Sequence, residues 1–508
     1  MSKPKVLFLT SSILAHCSSL DVYRISTCHR SPPLMNSPEL GQSSVHLNVI
    51  DWLKREHQDD LEIHLGSYES LRSRTKEGVT FHSIVDPISK RDNQHDPRFN
   101  HNFTSVSKSP GFIGACQALM GLFSIMHPEA PGDYLETAKS VKGLLADLSP
   151  ALVVVDPCFE SARDALTATG RPHIILSPNT IKEIGQAAQG AGAFSWPAVA
   201  TGYPIVMPWY LYPASIFVTI FPLIWLNLFD KPYKAFIKAR SGAGYTGPMP
   251  FLVDSTADRF TKKVLCMSTA EAEIPAIYPD TVVCCGPILP IYRTFKAVDP
   301  QLFDQLKSAG ATHESVVLIS LGSHHRTTKQ FAQNMLTAIR VLLDKRKDVQ
   351  VLWRLKRWGG YDLEGVDEVK DRLIVVDWLE AEPVSILASG LVGCYVHHGG
   401  SNSYHEALAL GIPQVLLPAW FDCFDFANRV EYFGIGLWGN RQSAPNCTYS
   451  ELCAALLTVM GTGEDVERAV EVRERAKRLA VIVTKDHTTS GGQVAATCIW
   501  DELQRAAS

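Results

Sequence analysis

Short, continuously apolar runs recur along the first half of the chain: KVLFLT (5–10), LEIHLGS (61–67), VTFHSIV (79–85), ALVVVD (151–156), HIILSP (173–178) and VLCMST (264–269). Runs of this kind, rich in β-branched residues and not alternating with polar ones, predict parallel strands covered on both faces. Helix-like stretches lie between them. One follows GQSSVHL, with Val45, Leu47, Val49, Ile50 and Leu53 turned toward a core. The pattern restarts with VVLISLGS (316–323), QVLWRL (350–355), RLIVVDW (372–378), CYVHHGG (394–400) and QVLLPAW (414–420). Between the two series, a stretch punctuated by Gly and Pro places a linker at 286–300. The prediction is an α/β protein of two Rossmann-like, doubly wound domains, 1–285 and 301–508, whose last helix is a candidate to pack back on the first domain. Such sheets bind ligands beyond the carboxyl ends of their strands, so a cleft between the domains is the expected site.

One segment breaks the pattern. From Ile184 to Phe229 no residue is charged, and the second half, ending SIFVTIFPLIWLNLF, has the length of a bilayer crossing. Pro208, Pro213 and Pro222 oppose a straight span, and Lys231, Lys234, Lys238 and Arg240 follow at once. Three readings fit: helices lying on a membrane surface over 204–240, a buried helical pair or apolar pocket wall within 184–240, or a true span. The N-terminus is read as a first strand and not as a signal peptide, because Thr10, Ser11 and Ser12 interrupt its apolar run. The 508 residues are 46% hydrophobic and 20% charged with a net charge of −4, which offers no basic field for nucleic acid. Twelve cysteines without a CxxC pair fit a reducing compartment. The expected location is cytoplasmic, with peripheral membrane contact as the variant.

The stretch CYVHHGGSNSYHEALALG reads strand, glycine turn, helix. Gly399 and Gly400 let the backbone approach a ligand closely. Ser401, Asn402 and Ser403 can cap a helix whose first amides and positive dipole end suit a phosphate or diphosphate. His398 adds a donor toward the same anion. Glu406, one turn further, would repel phosphate but can accept from sugar or ribose hydroxyls. The plain alternative is a capped turn that binds nothing.

The wider spacing carries more. WLEAEP begins at Trp378, and ALGIPQVLLPAWFDCFDFANRVE completes the region. Trp, His-Gly-Gly, Asn-Ser, Glu, Gly-x-Pro and Pro-x-Trp-x-Asp follow in order, and over 376–431 the chain resembles the UDP-glycosyltransferases, a large family with plant and animal members. SLGS (320–323) and CGPILP fit the family's first C-terminal strand and its linker. GQSSVHL and the charge-free segment are most similar to fungal members. The resemblance implies the GT-B arrangement, two Rossmann-like domains facing across a cleft. It implies that Trp378 stacks on uracil and Glu406 holds the ribose hydroxyls. His398, Asn402, Ser403 and Ser323 would hold the diphosphate beside Gly399 and Gly400, and Asp422 the donor sugar. A UDP-sugar is then the co-substrate, a lipophilic small molecule the acceptor, and no metal or other cofactor is expected. Cys423 and Glu380-Ala381 depart from the plant pattern of Gln and Pro-Gln, which leaves the sugar open, with glucose favoured by family frequency.

In that family a histidine after the first strand takes the acceptor proton, and an aspartate after a later strand orients it. Asp156, ending ALVVVD, stands where the aspartate belongs; the plain alternative is a helix cap. The histidine is open. His16 has the right distance from the first strand. The expected helix begins only near Ser43, where Gly41-Gln42 takes the family's Gly-His place, and Gln42 can orient an acceptor but not deprotonate it. His46, one turn on, either reaches the cleft or lies on the helix surface. Residues 11–35 therefore read as inserted, either a lineage-specific loop or translated intron.

The expected function is inverting transfer of a sugar, with glucose foremost, from a UDP-sugar to a hydroxyl of a terpenoid, sterol or polyketide. Two others stand beside it. One is transfer to a membrane lipid, with 204–229 on the bilayer. The other is a UDP-sugar-binding protein whose catalysis is weakened by Gln42.

Overall fold

The computed structural model describes residues 3–11, 41–86, 106–322, 325–485 and 489–507. Strands β1 (Lys5–Leu9), β2 (Glu62–Ser67), β3 (Val79–Ser83), β4 (Leu152–Val155), β5 (His173–Leu176), β6 (Thr261–Cys266) and β7 (Val282–Cys284) form a seven-stranded sheet in the order β3-β2-β1-β4-β5-β6-β7. Strands β8 (Val316–Ser320), β9 (Gln350–Arg354), β10 (Leu373–Val376), β11 (Val392–His397), β12 (Gln414–Leu416) and β13 (Gly436–Trp438) form a six-stranded sheet in the order β10-β9-β8-β11-β12-β13. Every pairing is parallel. Each order reverses beside its first strand, which opens a crevice at the carboxyl ends there.

The continuous apolar runs are explained by burial on both sides. In β1, Val6 and Phe8 face one core, while Leu7 and Leu9 face the other. The helices used below are α1 (Ser43–His57), α2 (Phe112–Met120), α3 (Pro131–Leu148), α4 (Glu160–Ala168), α5 (Tyr212–Leu228), α6 (Lys231–Gly242), α7 (Lys329–Lys345), α8 (Ser401–Ala409), α9 (Phe421–Tyr432) and α10 (Gly491–Ala507). In the second domain α7 lays Met335, Leu336, Ile339 and Leu343 on β8 and β9. The last helix, α10, crosses to the first domain. Its Ala495, Ile499 and Leu503 share a core with Val45, Val49 and Leu53 of α1, and His57 stacks on Trp500 with ring centroids 4.1 Å apart.

Buried polar contacts also join the domains. Arg429 of α9 pairs with Glu273 and donates to Thr180 Oγ1 at 2.8 Å. Lys182 meets Asp425 at 2.5 Å. Asn428 donates to the Tyr203 carbonyl at 2.7 Å.

The charge-free segment is not the wholly buried helical pair of the sequence reading. It runs through short helical turns into α5, which buries Ser215, Val218 and Leu226 and leaves its other face open. Asp230 then caps α6, accepting from Tyr233 N at 2.8 Å.

Candidate functional site

The β11–α8 turn is held from beneath. His397 is fully buried; its Nδ1 accepts from Gly399 N at 3.1 Å, and its Nε2 faces Gln414 Oε1 at 2.9 Å. It pins the turn and is closed to a ligand. Gly399 has φ +89°, and a Cβ there would lie 2.8 Å from the Cys423 carbonyl oxygen. His398 projects the other way. Its ring lies so close to Gly322, at the end of the β8 loop, and to Gly400 that a Cβ on either glycine would overlap it. Glycines from two loops thus cradle one imidazole at the start of α8. The amides of Ser401, Asn402 and Ser403 begin that helix and have no acceptor within it. Ser403 Oγ accepts from Tyr395 OH at 3.3 Å, and Ser401 Oγ donates to the Pro178 carbonyl at 2.5 Å. Asn402 behaves differently from the sequence reading. Its Nδ2 donates across the cleft to Gly41 O and Ser44 Oγ, both at 3.0 Å. Ser323 lies outside the described residues.

Trp378 stands two residues past β10, 52% exposed. The Arg354 guanidinium lies 4.9 Å from its ring centroid, so one face is backed by a cation while the side chain stays open to solvent. An aromatic platform of this kind suits a base. Glu406, half-buried one turn into α8, is pushed up to about 8 by burial and by Glu382. Asp422 sits in the first turn of α9, after Phe421 with φ +27°. Burial, Glu183 and Asp425 raise its carboxyl to about 7.

Across the cleft, Asp156 ends β4 beside β1. It is fully buried and accepts from Cys158 N at 2.8 Å and from Thr10 Oγ1 at 3.3 Å. Burial raises it to about 7, against the pull of both donors. Asp422 is near enough for its charge to reach the Cys158 thiol, which burial and Asp156 raise further. Gln42 precedes α1, half-buried, with Oε1 enclosed and without a partner. His46 corrects the sequence reading. It is neither on the surface nor in the cleft but fully buried against Phe8, bonded to the Leu176 carbonyl at 3.2 Å and held down at about 3 by burial. A ring that stays neutral and enclosed cannot serve as the base. His16, and all but the first residue of the 11–35 insertion, lie outside the described residues. Among the described residues no group of three or more His, Cys, Asp or Glu side chains is placed to hold a metal ion, and every described cysteine is free.

These enclosed groups make stability depend on pH. His46, His325, His397 and His405 are lowered by burial to between about 3 and about 4. The unfolded chain protonates them first, so stability falls as pH drops below about 6.5. Asp156, Asp422 and Glu406 keep their protons to between about 7 and about 8. The unfolded chain has lost these protons by about pH 5, so stability also falls as pH rises toward 8. Calorimetry of the ligand-free protein should show Tm falling as pH rises from about 6.5 toward 8, where the raised carboxyls and the raised His127 act together, with Glu406→Gln softening that fall. A Tm that climbs steadily to pH 8 would contradict this account.

Comparison with known proteins agrees with this geometry. Residues 359–480 match the family described as the C-terminal domain of erythromycin biosynthesis protein CIII-like. Glycosyltransferase sdnJ of Sordaria araneosa is 31% identical, over 86% of this chain and 91% of its own length. UDP-glycosyltransferase 74B1 of Arabidopsis thaliana is 28% identical over 39% of this chain and 41% of its own. Among solved structures, a UDP-glucosyltransferase from Polygonum tinctorium capable of glucosylating indoxyl superposes with a TM-score of 0.62 at 14% identity, covering all of both chains. The glycotransferase of kitacinnamycin gives 0.61 at 16%, over 99% of this chain and 100% of its own. Two facing Rossmann-like domains, glycines of two loops cradling His398 at the start of α8, and 31% identity over 86% of the chain to a fungal glycosyltransferase together place the chain in the UDP-glycosyltransferase family.

Proposed function

We propose that the chain transfers glucose from UDP-glucose, with inversion, to a hydroxyl of a lipophilic small molecule such as a terpenoid, sterol or polyketide. The observation that carries this reading is the convergence of the β8 and β11 loops on His398 at the start of α8. When the bond from anomeric carbon to diphosphate breaks, negative charge grows on the leaving oxygen, and fixed donors placed there lower the barrier. Trp378 would stack on uracil, Glu406 would accept from the ribose, and Asp422 would hold the sugar hydroxyls. As the acceptor oxygen bonds to the anomeric carbon, its proton must leave. His16, the remaining histidine candidate of the sequence, is proposed to take it, with Asp156 orienting and charge-stabilising that ring and Gln42 Oε1 aligning the acceptor hydroxyl. The likeness in fold to a UDP-glucosyltransferase capable of glucosylating indoxyl supports the choice of a small-molecule acceptor. The free cysteines support a reducing, cytoplasmic location.

The test is purified protein with UDP-glucose and a panel of phenols, terpenoid alcohols and sterols, read by mass spectrometry for a hexose adduct. The wild type should form adducts, and His398→Ala should lower kcat by about 10²–10³-fold, the usual loss for one such donor. UDP binding by calorimetry with neither adduct nor free glucose would instead point to a nucleotide-sugar-binding protein.

A further inference from the structure

Helix α5 is apolar on both faces. Ser215, Val218 and Leu226 pack inward, and Val218 shares a small core with Ala115, Ala118 and Leu119 of α2. The outward stripe is apolar too: Phe217, Ile220, Ile224 and Leu228 recur at helical spacing, all exposed. The preceding turn adds Trp209 at 83% exposure, and the start of α2 adds Ile113 at 70%. Phe112 and Phe217 join these parts, with ring centroids 5.5 Å apart. A helix apolar all round belongs in a core or in lipid, and this one has only half a core.

The charges around it are one-sided. Between Glu183 and Asp254 the chain carries a single acidic residue, Asp230, which is buried as the cap of α6. Lys231, Lys234 and Lys238 form one exposed stripe on α6. A furrow of about 650 Å³ runs between α5 and α6, with Leu223 and Ile237 on its walls and Lys234 and Lys238 at its edge. The lysine helix is also fixed in place, because Arg240 at its end makes a buried two-point pair with Asp164, both bonds 2.7 Å.

We propose that the outer face of α5, with the turn at Trp209 and the lysines of α6, docks the protein onto an anionic lipid bilayer. Aromatic and aliphatic side chains would enter the headgroup boundary while the ammonium groups meet lipid phosphates and carboxylates. The helix lies in the surface and does not cross it. Trp209–Leu228 is long and apolar enough to span, but a span would tear Val218 and Leu226 from their cores. None of the residues of the docking surface belongs to the donor site.

Flotation of the full chain with phosphatidylcholine vesicles, with and without phosphatidylserine, tests it. The wild type should float with the anionic vesicles and much less with neutral ones. Lys231→Ala and Lys238→Ala should each weaken partitioning about fivefold. The double variant Trp209→Glu, Leu228→Glu should abolish flotation while keeping the wild-type Tm and turnover of a water-soluble acceptor. Absence of wild-type flotation, or flotation indifferent to that double variant, overturns the proposal. A wild-type dimer in light scattering that the double variant splits, without vesicle binding, overturns it in favour of self-association.

Discussion

Asp156→Asn should leave UDP binding intact and lower kcat by about 10²–10⁴-fold, the range a positioned proton-transfer group commonly supplies. The substitution suits the question because the amide keeps an oxygen for the Cys158 N–H, which Asp156 accepts at 2.8 Å. The turn into α4 survives and only the charge is lost. Wild-type kcat/KM should rise with pH through about 7, since Asp156 ionises there and the ionised form does the work. That limb should vanish in the variant. A variant with wild-type kcat and the same profile would reduce Asp156 to a cap for the turn.

Arg429→Ala is expected to destabilise the protein by about 3–5 kcal/mol, the usual result of stripping one partner from a buried ion pair. Arg429 and Glu273 are both buried at the domain junction, and Arg429 also donates to Thr180. Without the guanidinium, Glu273 keeps Ser268 and its neighbouring amide as hydrogen-bond partners among the described residues. Urea titration followed by tryptophan fluorescence should show a lower midpoint and a split into two transitions as the domains uncouple. A single transition shifted by less than about 1 kcal/mol would mean that α10 and the other junction contacts couple them without Arg429.

The strands and the glycine turn were legible because their signals are local. Continuous apolar runs identify strands buried on both faces, and two glycines ahead of Ser-Asn-Ser identify a helix start. His46 was legible in part: its spacing to Val49, Ile50 and Leu53 puts it on the buried stripe, and that spacing outweighs the general preference of histidine for surfaces. The reach of Asn402 to Gly41, the Arg354 backing of Trp378 and the Arg429–Glu273 pair were not legible. The first and last join residues of different domains, and Arg354 meets Trp378 only because β9 and β10 pair side by side. The charge-free segment was opaque for another reason. A helix without a polar face gives no period to read, so the sequence cannot say which side is covered.

The return of α10 has a consequence for the order of assembly. Ala495, Ile499 and Leu503 complete the first domain's core beside α1, yet they are made only after the strands and helices of the second domain. The first sheet leaves the ribosome with one side uncovered and stays so until α10 has followed. Domains commonly fold as units during translation, N-terminal first. Here the first domain must wait for the second, so a stop codon placed just before α10 would cost the first domain its core, not the second domain whose end it marks.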